Sequence, residues 1–190
     1  MGIALGYDTW FIEKTPINLF VSLMLFLLVF AINNKTKITL FLSFFIIGMA
    51  VEWLGVNYGI LFGDYAYGKN LGPKLDGVPL LIGTYWALLT FTTFSIARHV
   101  TQNKWLCTFL GASLMVFLDF LMEKNAPAFN FWEFDGEVPL SNYVTWFLIS
   151  LLLQIMVHAS NIKNSGFQIS INLYASQLAF FGYFYLFPIN

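Results

Sequence analysis

The sequence predicts an all-α fold, a polytopic transmembrane bundle of about six helices, and three features carry that reading. Hydrophobic residues make up 58% of the chain and charged residues only 10%, a balance suited to lipid rather than water. Long uncharged stretches recur, residues 38–51 among them. These stretches also lack the polar stripe that a water-facing core helix would carry.

Six spans follow, near residues 16–32, 38–56, 79–97, 105–122, 140–158 and 168–187. Each is about long enough for a helix across a hydrocarbon layer of roughly 30 Å. No Ser/Pro linker or soluble segment separates them, so 1–190 reads as a single integral-membrane domain. Residues 1–10 lack the basic start and small-residue cleavage site of a signal peptide. A net charge of -1, with no block of like charges, gives no reason to expect nucleic acid as a partner. Cys107 is the sole cysteine, so no internal disulfide forms.

An even number of spans puts both termini and the 57–78 and 123–139 loops on one side, here side A. Side B holds Lys35, Lys37, Arg98, Lys104 and Lys163 and no acid. Side A holds Lys14, Lys69, Lys74 and Lys124, together with Asp8, Glu13, Asp64, Asp76, Glu123, Glu133, Asp135 and Glu137. Five basic residues against four assign side B to the cytoplasm, because the rule counts basic residues and not net charge. That orientation leaves the N-terminus outside without an export signal, and a further helix is expected ahead of Ile3-Ala4-Leu5.

Two acids, Glu52 and Asp119, fall within or at the edge of apolar spans. Both spans run from side B to side A, so the carboxylates sit at similar depth near side A on parallel helices. A helix-end acid can snorkel into headgroups. One kept within the membrane faces the bundle and is a functional candidate, since facing lipid is costly.

The sequence downstream of each acid repeats itself. "DGVPLLIGTYW" and "DGEVPLSNYVTW" both open on Asp-Gly, pass through Val-Pro-Leu, and place tryptophan seven residues beyond proline, Pro79 to Trp86 and Pro139 to Trp146. Upstream, "EWL" at Glu52 aligns with "DFL" at Asp119. Proline suits the first turn of a helix and seven residues make two turns, so each tryptophan shares a face with its proline. The pattern predicts a duplicated helix-loop-helix unit related by an axis along the membrane normal. The intervening loops are rich in aromatics, and Asp64, Tyr65, Tyr67, Trp132 and Phe134 are expected to form a lid over the acids.

His99 and His158, the two histidines, both belong to side B, far from the acids, which leaves no metal or haem centre. Gly55, Gly59, Gly63 and Gly68 follow no strand-turn-helix pattern for a nucleotide and read as turns or close packing. Cofactor-free acid–base chemistry remains. Asp119 and Glu123 are four apart, on one helix face and close enough to interact. Glu52 or Asp64 would hold or deprotonate a water, and Trp53, Trp86, Trp132 and Trp146 would face a developing carbocation. An acid, a water and aromatic walls at a membrane interface suit hydration of an alkene in a lipid-soluble substrate.

The series Glu52, "FGDYAYG" at 62–68, "LG" at 71–72, "GVPL" at 77–80 with Trp86, "FLDFLME" at 117–123 and "VPLSNYVTWF" at 138–147 resembles the membrane carotenoid biosynthesis proteins. Known members of that family are carotenoid 1,2-hydratases of the bisanhydrobacterioruberin and γ-carotene type. The resemblance runs from about residue 6 to the last span. It implies addition of water to the terminal C1=C2 bond of a ψ-end carotene such as lycopene or γ-carotene, without a cofactor. On that reading Glu52, Asp119, Glu123 and Asp64 are catalytic, and Trp53, Tyr65, Tyr67, Trp86, Trp132, Asn142 and Trp146 contact the substrate. The implied setting is a bacterial or archaeal cell membrane, alongside other carotenoid biosynthesis enzymes, and the assignment of side B to the cytoplasm puts the site near the extracytoplasmic face. A non-enzymatic carotenoid-binding protein, a small transporter and a lycopene cyclase-like enzyme are the alternatives.

Overall fold

The computed structural model describes residues 6–29, 32–162 and 166–189. Ile3-Ala4-Leu5, Lys163 and positions 30 and 31 of the first predicted span lie outside them. Among the described residues the chain forms helices α1 (Asp8–Glu13), α2 (Thr15–Val29), α3 (Lys35–Tyr58), α4 (Leu80–Val100), α5 (Lys104–Glu123), α6 (Leu140–Ala159) and α7 (Phe167–Leu186). Four short strands, β1 (Tyr65–Tyr67), β2 (Lys74–Leu75), β3 (Val78–Pro79) and β4 (Trp132–Phe134), lie in the two long loops.

Helices therefore occupy all six predicted stretches, and α3, α4, α5 and α6 are long and apolar enough to cross a membrane. The described part of α2 is apolar but shorter. Gln168, Asn172 and Gln177 dilute the apolar character of α7. The additional helix, α1, is six residues long and leaves Trp10 and Phe11 exposed, as aromatic side chains at a membrane–water boundary are.

Local chemistry sets the ends. Asn34 accepts from Lys37 N–H to cap α3, and Asn103 accepts from Trp105 and Leu106 N–H to cap α5. At its far end α3 stops on Gly59, whose left-handed backbone (φ 64°) returns its N–H to Gly55. Pro79 and Pro139 stand immediately before the first helical residues of α4 and α6, one position earlier than the first-turn placement predicted.

Helix α4 is the hub, packing against α2, α3, α5, α6 and α7. Its residues from Ala87 to Ala97 are buried on every face. Two polar members of that stretch turn back on the helix: Thr90 and Thr93 donate to the carbonyls of Trp86 and Leu89 at 2.7 and 2.9 Å, which removes the cost of an unpaired hydroxyl at those two positions.

The duplicated unit has a geometric counterpart. Strands β1 and β4, from corresponding loops, pair antiparallel with Tyr65 opposite Phe134, Ala66 opposite Glu133 and Tyr67 opposite Trp132. Trp86 and Trp146, the two repeat tryptophans, stack face to face at 3.8 Å between centroids and 13° between planes. Like elements meeting like elements is what a pseudo-two-fold axis between α3–α4 and α5–α6 produces. Helix α7 closes the bundle on the loop side, where Asn125 donates to the Phe181 carbonyl and Phe129 packs on Phe180 and Phe184.

Candidate active site

Three carboxylates, Glu52 of α3 and Asp119 and Glu123 of α5, are 3%, 2% and 6% exposed and line one chamber. Burying an acid demands hydrogen-bond donors in return, and the three are supplied unequally. Glu52 is the best served. Its Oε2 accepts from the Tyr65 and Tyr67 hydroxyls at 2.5 and 2.7 Å, and its Oε1 accepts from Trp86 Nε1 at 2.9 Å. Glu123 accepts from Trp132 Nε1 at 2.7 Å and from Asn142 Nδ2 at 3.0 Å. Among the described residues, Asp119 receives one donor, the same Asn142 amide, at 3.5 Å.

Backbone placement explains how large rings reach Glu52. Gly48 and Gly55 flank it on α3, one turn to either side. A Cβ on Gly48 would stand 2.7 Å from Trp86, and one on Gly55 would stand 2.8 Å from the Tyr65 hydroxyl. Both glycines therefore hold space for the donors. On α6, Asn142 and Trp146 are four apart and project to the same side, so the start of that helix delivers a donor and a ring together.

The β1–β4 pair is the roof. Tyr65 stacks on Phe134 at 5.1 Å, and Tyr67 meets Trp132 edge-on at 6.0 Å. Burial first, and the adjacent Glu52 carboxylate second, push the Tyr65 and Tyr67 phenols above the usual tyrosine range. Both rings stay protonated donors at any ordinary pH. The space between roof, stacked tryptophans and carboxylates offers the centre of a water-sized sphere about 20 Å³, room for one water.

Of the residues singled out from sequence, Glu52, Asp119, Glu123, Tyr65, Tyr67, Trp86, Trp132, Asn142 and Trp146 come together here. Asp64 and Trp53 do not. Asp64 is exposed, with its side chain folded against Gly59. Trp53 follows Glu52 by one residue and so points to a different face of α3, where its Nε1 donates to Asp76 at 2.5 Å. Sequence reasoning missed Tyr85 and Met122, which also line the chamber. Tyr85 offered a signal as a polar aromatic directly beside Trp86, whereas Met122 offered none. Among the described residues, no group of three or more His, Cys, Asp or Glu is arranged to hold a metal ion.

Fold and site together define a polytopic helical membrane protein with a chamber of buried carboxylates roofed by aromatics. The chain belongs to the carotenoid biosynthesis protein family, whose profile matches residues 15–188. A bisanhydrobacterioruberin hydratase from Haloarcula japonica is 28% identical over 108 residues, which cover 52% of this chain and 36% of that relative. The chain thus spans about a third of the length of the curated relative it matches. No solved structure matches it.

Proposed function

We propose that this protein is a carotenoid 1,2-hydratase, adding water across the terminal C1=C2 bond of a ψ-end carotene such as lycopene or γ-carotene. The observation that carries the reading is the unequal provision of donors to three buried carboxylates around a space for one water. The family match and the name of the Haloarcula relative support the substrate class.

Asp119 delivers a proton to C2, because its oxygens carry the fewest hydrogen bonds from the protein and one is free to hold and release a proton. The electron pair of the double bond forms the new C–H bond and leaves a tertiary cation at C1. The stacked rings of Trp86 and Trp146 form the wall beside it and stabilise positive charge through their π faces. Water held at Glu52 attacks C1, and Glu52 accepts its proton as the C–O bond forms. Glu123 accepts from the same Asn142 amide as Asp119, which holds the two carboxylates side by side, and the proton taken up at Glu52 returns to Asp119 by way of water. The product is a tertiary alcohol, with no net change in protons.

The experiment is labelling. Membranes supplied with lycopene or γ-carotene in deuterated, oxygen-18 water should yield a 1-hydroxy-1,2-dihydro end carrying deuterium at C2 and heavy oxygen at C1. A hydroxyl oxygen drawn from molecular oxygen overturns the proposal, and a cyclised product of unchanged mass replaces it with a cyclase.

A further inference from the structure

The chamber has room for one water, while the substrate proposed above is a polyene comparable in length with the membrane core, roughly 30 Å. A wall must therefore open to admit its end, and the rest of the molecule must lie outside that wall. Three sides are tied shut. Glu52 is held by three donors, the tryptophan stack closes the floor, and the roof is pinned by strand pairing and by Trp132 on Glu123.

The fourth side differs. A cleft of about 200 Å³, on the same measure as the chamber, lies between α2, α4 and α7 and shares Ile82, Tyr85, Met122 and Trp132 with it. A smaller hollow that also contains Ser22, Tyr85 and Gln177 carries the cleft down α4 from Leu81 to Leu88, about 10 Å of helix at 1.5 Å per residue. The partition is Tyr85. Its ring packs against the core, but its hydroxyl reaches only the Met122 sulfur at 3.2 Å and Gln177 Oε1 at 3.5 Å, a weak acceptor and a long bond, so no strong polar bond pins it.

A larger hollow of about 550 Å³ lies on the outer face of α3, lined by Phe45, Met49, Ala50 and Trp53. Its lining has no residue in common with the chamber. Continuity decides against size.

We propose that the cleft between α2, α4 and α7 is the lateral entrance and seat for the polyene chain of the substrate, with Tyr85 as the movable partition before the carboxylates. The inference rests on the hydratase reading for its substrate class, and its test reads bound pigment separately from conversion. Ser22→Trp and Ser176→Trp fill the cleft from opposite walls, while Ala50→Trp fills the outer hollow of α3. Each variant is purified from carotene-producing cells as a monodisperse detergent complex, and pigment per protein and product are measured.

Both cleft variants should retain at least about tenfold less pigment, the equivalent of roughly 1.4 kcal/mol, and lose conversion in parallel, while Ala50→Trp matches the parent protein. Tyr85→Phe removes both hydroxyl bonds and should load pigment faster; an unchanged loading rate would strike Tyr85 from the gate. Undiminished pigment in both cleft variants would mean that the cleft holds lipid chains only and would overturn the proposal, as would an equal loss in Ala50→Trp. Absence of conversion in every protein, with the pigment pattern intact, would instead sink the hydratase reading and leave the entrance standing.

Discussion

Asp119 and Glu52 occupy equivalent places in the two halves of the molecule but have opposite surroundings. Three donors converge on Glu52, whereas Asp119 has a share of one amide. Shape-preserving substitutions test both residues. Glu52→Gln and Asp119→Asn should each lower the hydration rate by about 10²- to 10⁴-fold, the usual worth of a positioned general acid or base. Rates from membranes with matched protein levels check this, and full activity in either variant removes that residue from the chemistry. Both acids were legible because a carboxylate in an apolar span is conspicuous whatever the fold. Asp64 and Trp53 lie outside the chamber for reasons at the same scale: Asp64 precedes β1, where alternation along extended chain turns it away from Tyr65, and Trp53 is one residue past Glu52 on a helix, a turn of about 100°.

Among elements, the two helices that begin after Pro79 and Pro139 meet through the Trp86–Trp146 stack. The pair is symmetric in position but not in bonding, since Trp86 also donates to Glu52 while Trp146 makes only ring contacts among the described interactions. Trp146→Leu should therefore remove a stacking contribution of about 0.5–1.5 kcal/mol together with some packing. Trp86→Leu removes the same contact and in addition leaves a buried carboxylate oxygen unpaired, a further loss of about 1–3 kcal/mol. Thermal unfolding in detergent should rank Trp86→Leu below Trp146→Leu, and the reverse order would mean that the Trp86 bond to Glu52 adds nothing to stability. The repeat itself was readable, because proline and tryptophan at a spacing of seven mark a helix start and its inward face. That β1 and β4 would pair was not. Three-residue strands have too little alternation to announce a partner 67 positions away, as Ala66 and Glu133 are, and only their aromatic content hinted at a shared roof.

For the whole molecule, orientation is the property on which substrate supply, water access and product release depend. The β1–β4 pairing brings the loops after α3 and after α5 to one end of the bundle, and the turn between α4 and α5 stands at the other. The helix count and the loop chemistry thus agree on sidedness, while the sign of that sidedness rests on five basic residues against four in the sequence. Cysteine labelling decides it. The native Cys107 is buried, so the background is low and single cysteines at exposed Lys69 and Asn103 report the loop end and the turn end. With side B cytoplasmic, an impermeant thiol reagent applied to intact cells should modify Lys69→Cys and spare Asn103→Cys until the membrane is opened. The reverse pattern would put the carboxylate chamber near the cytoplasmic face. On the proposed hydratase reading, a chamber at the outer face would draw its water from outside the cell, and the carotene would reach the proposed entrance between α2, α4 and α7 through the membrane without crossing an aqueous phase.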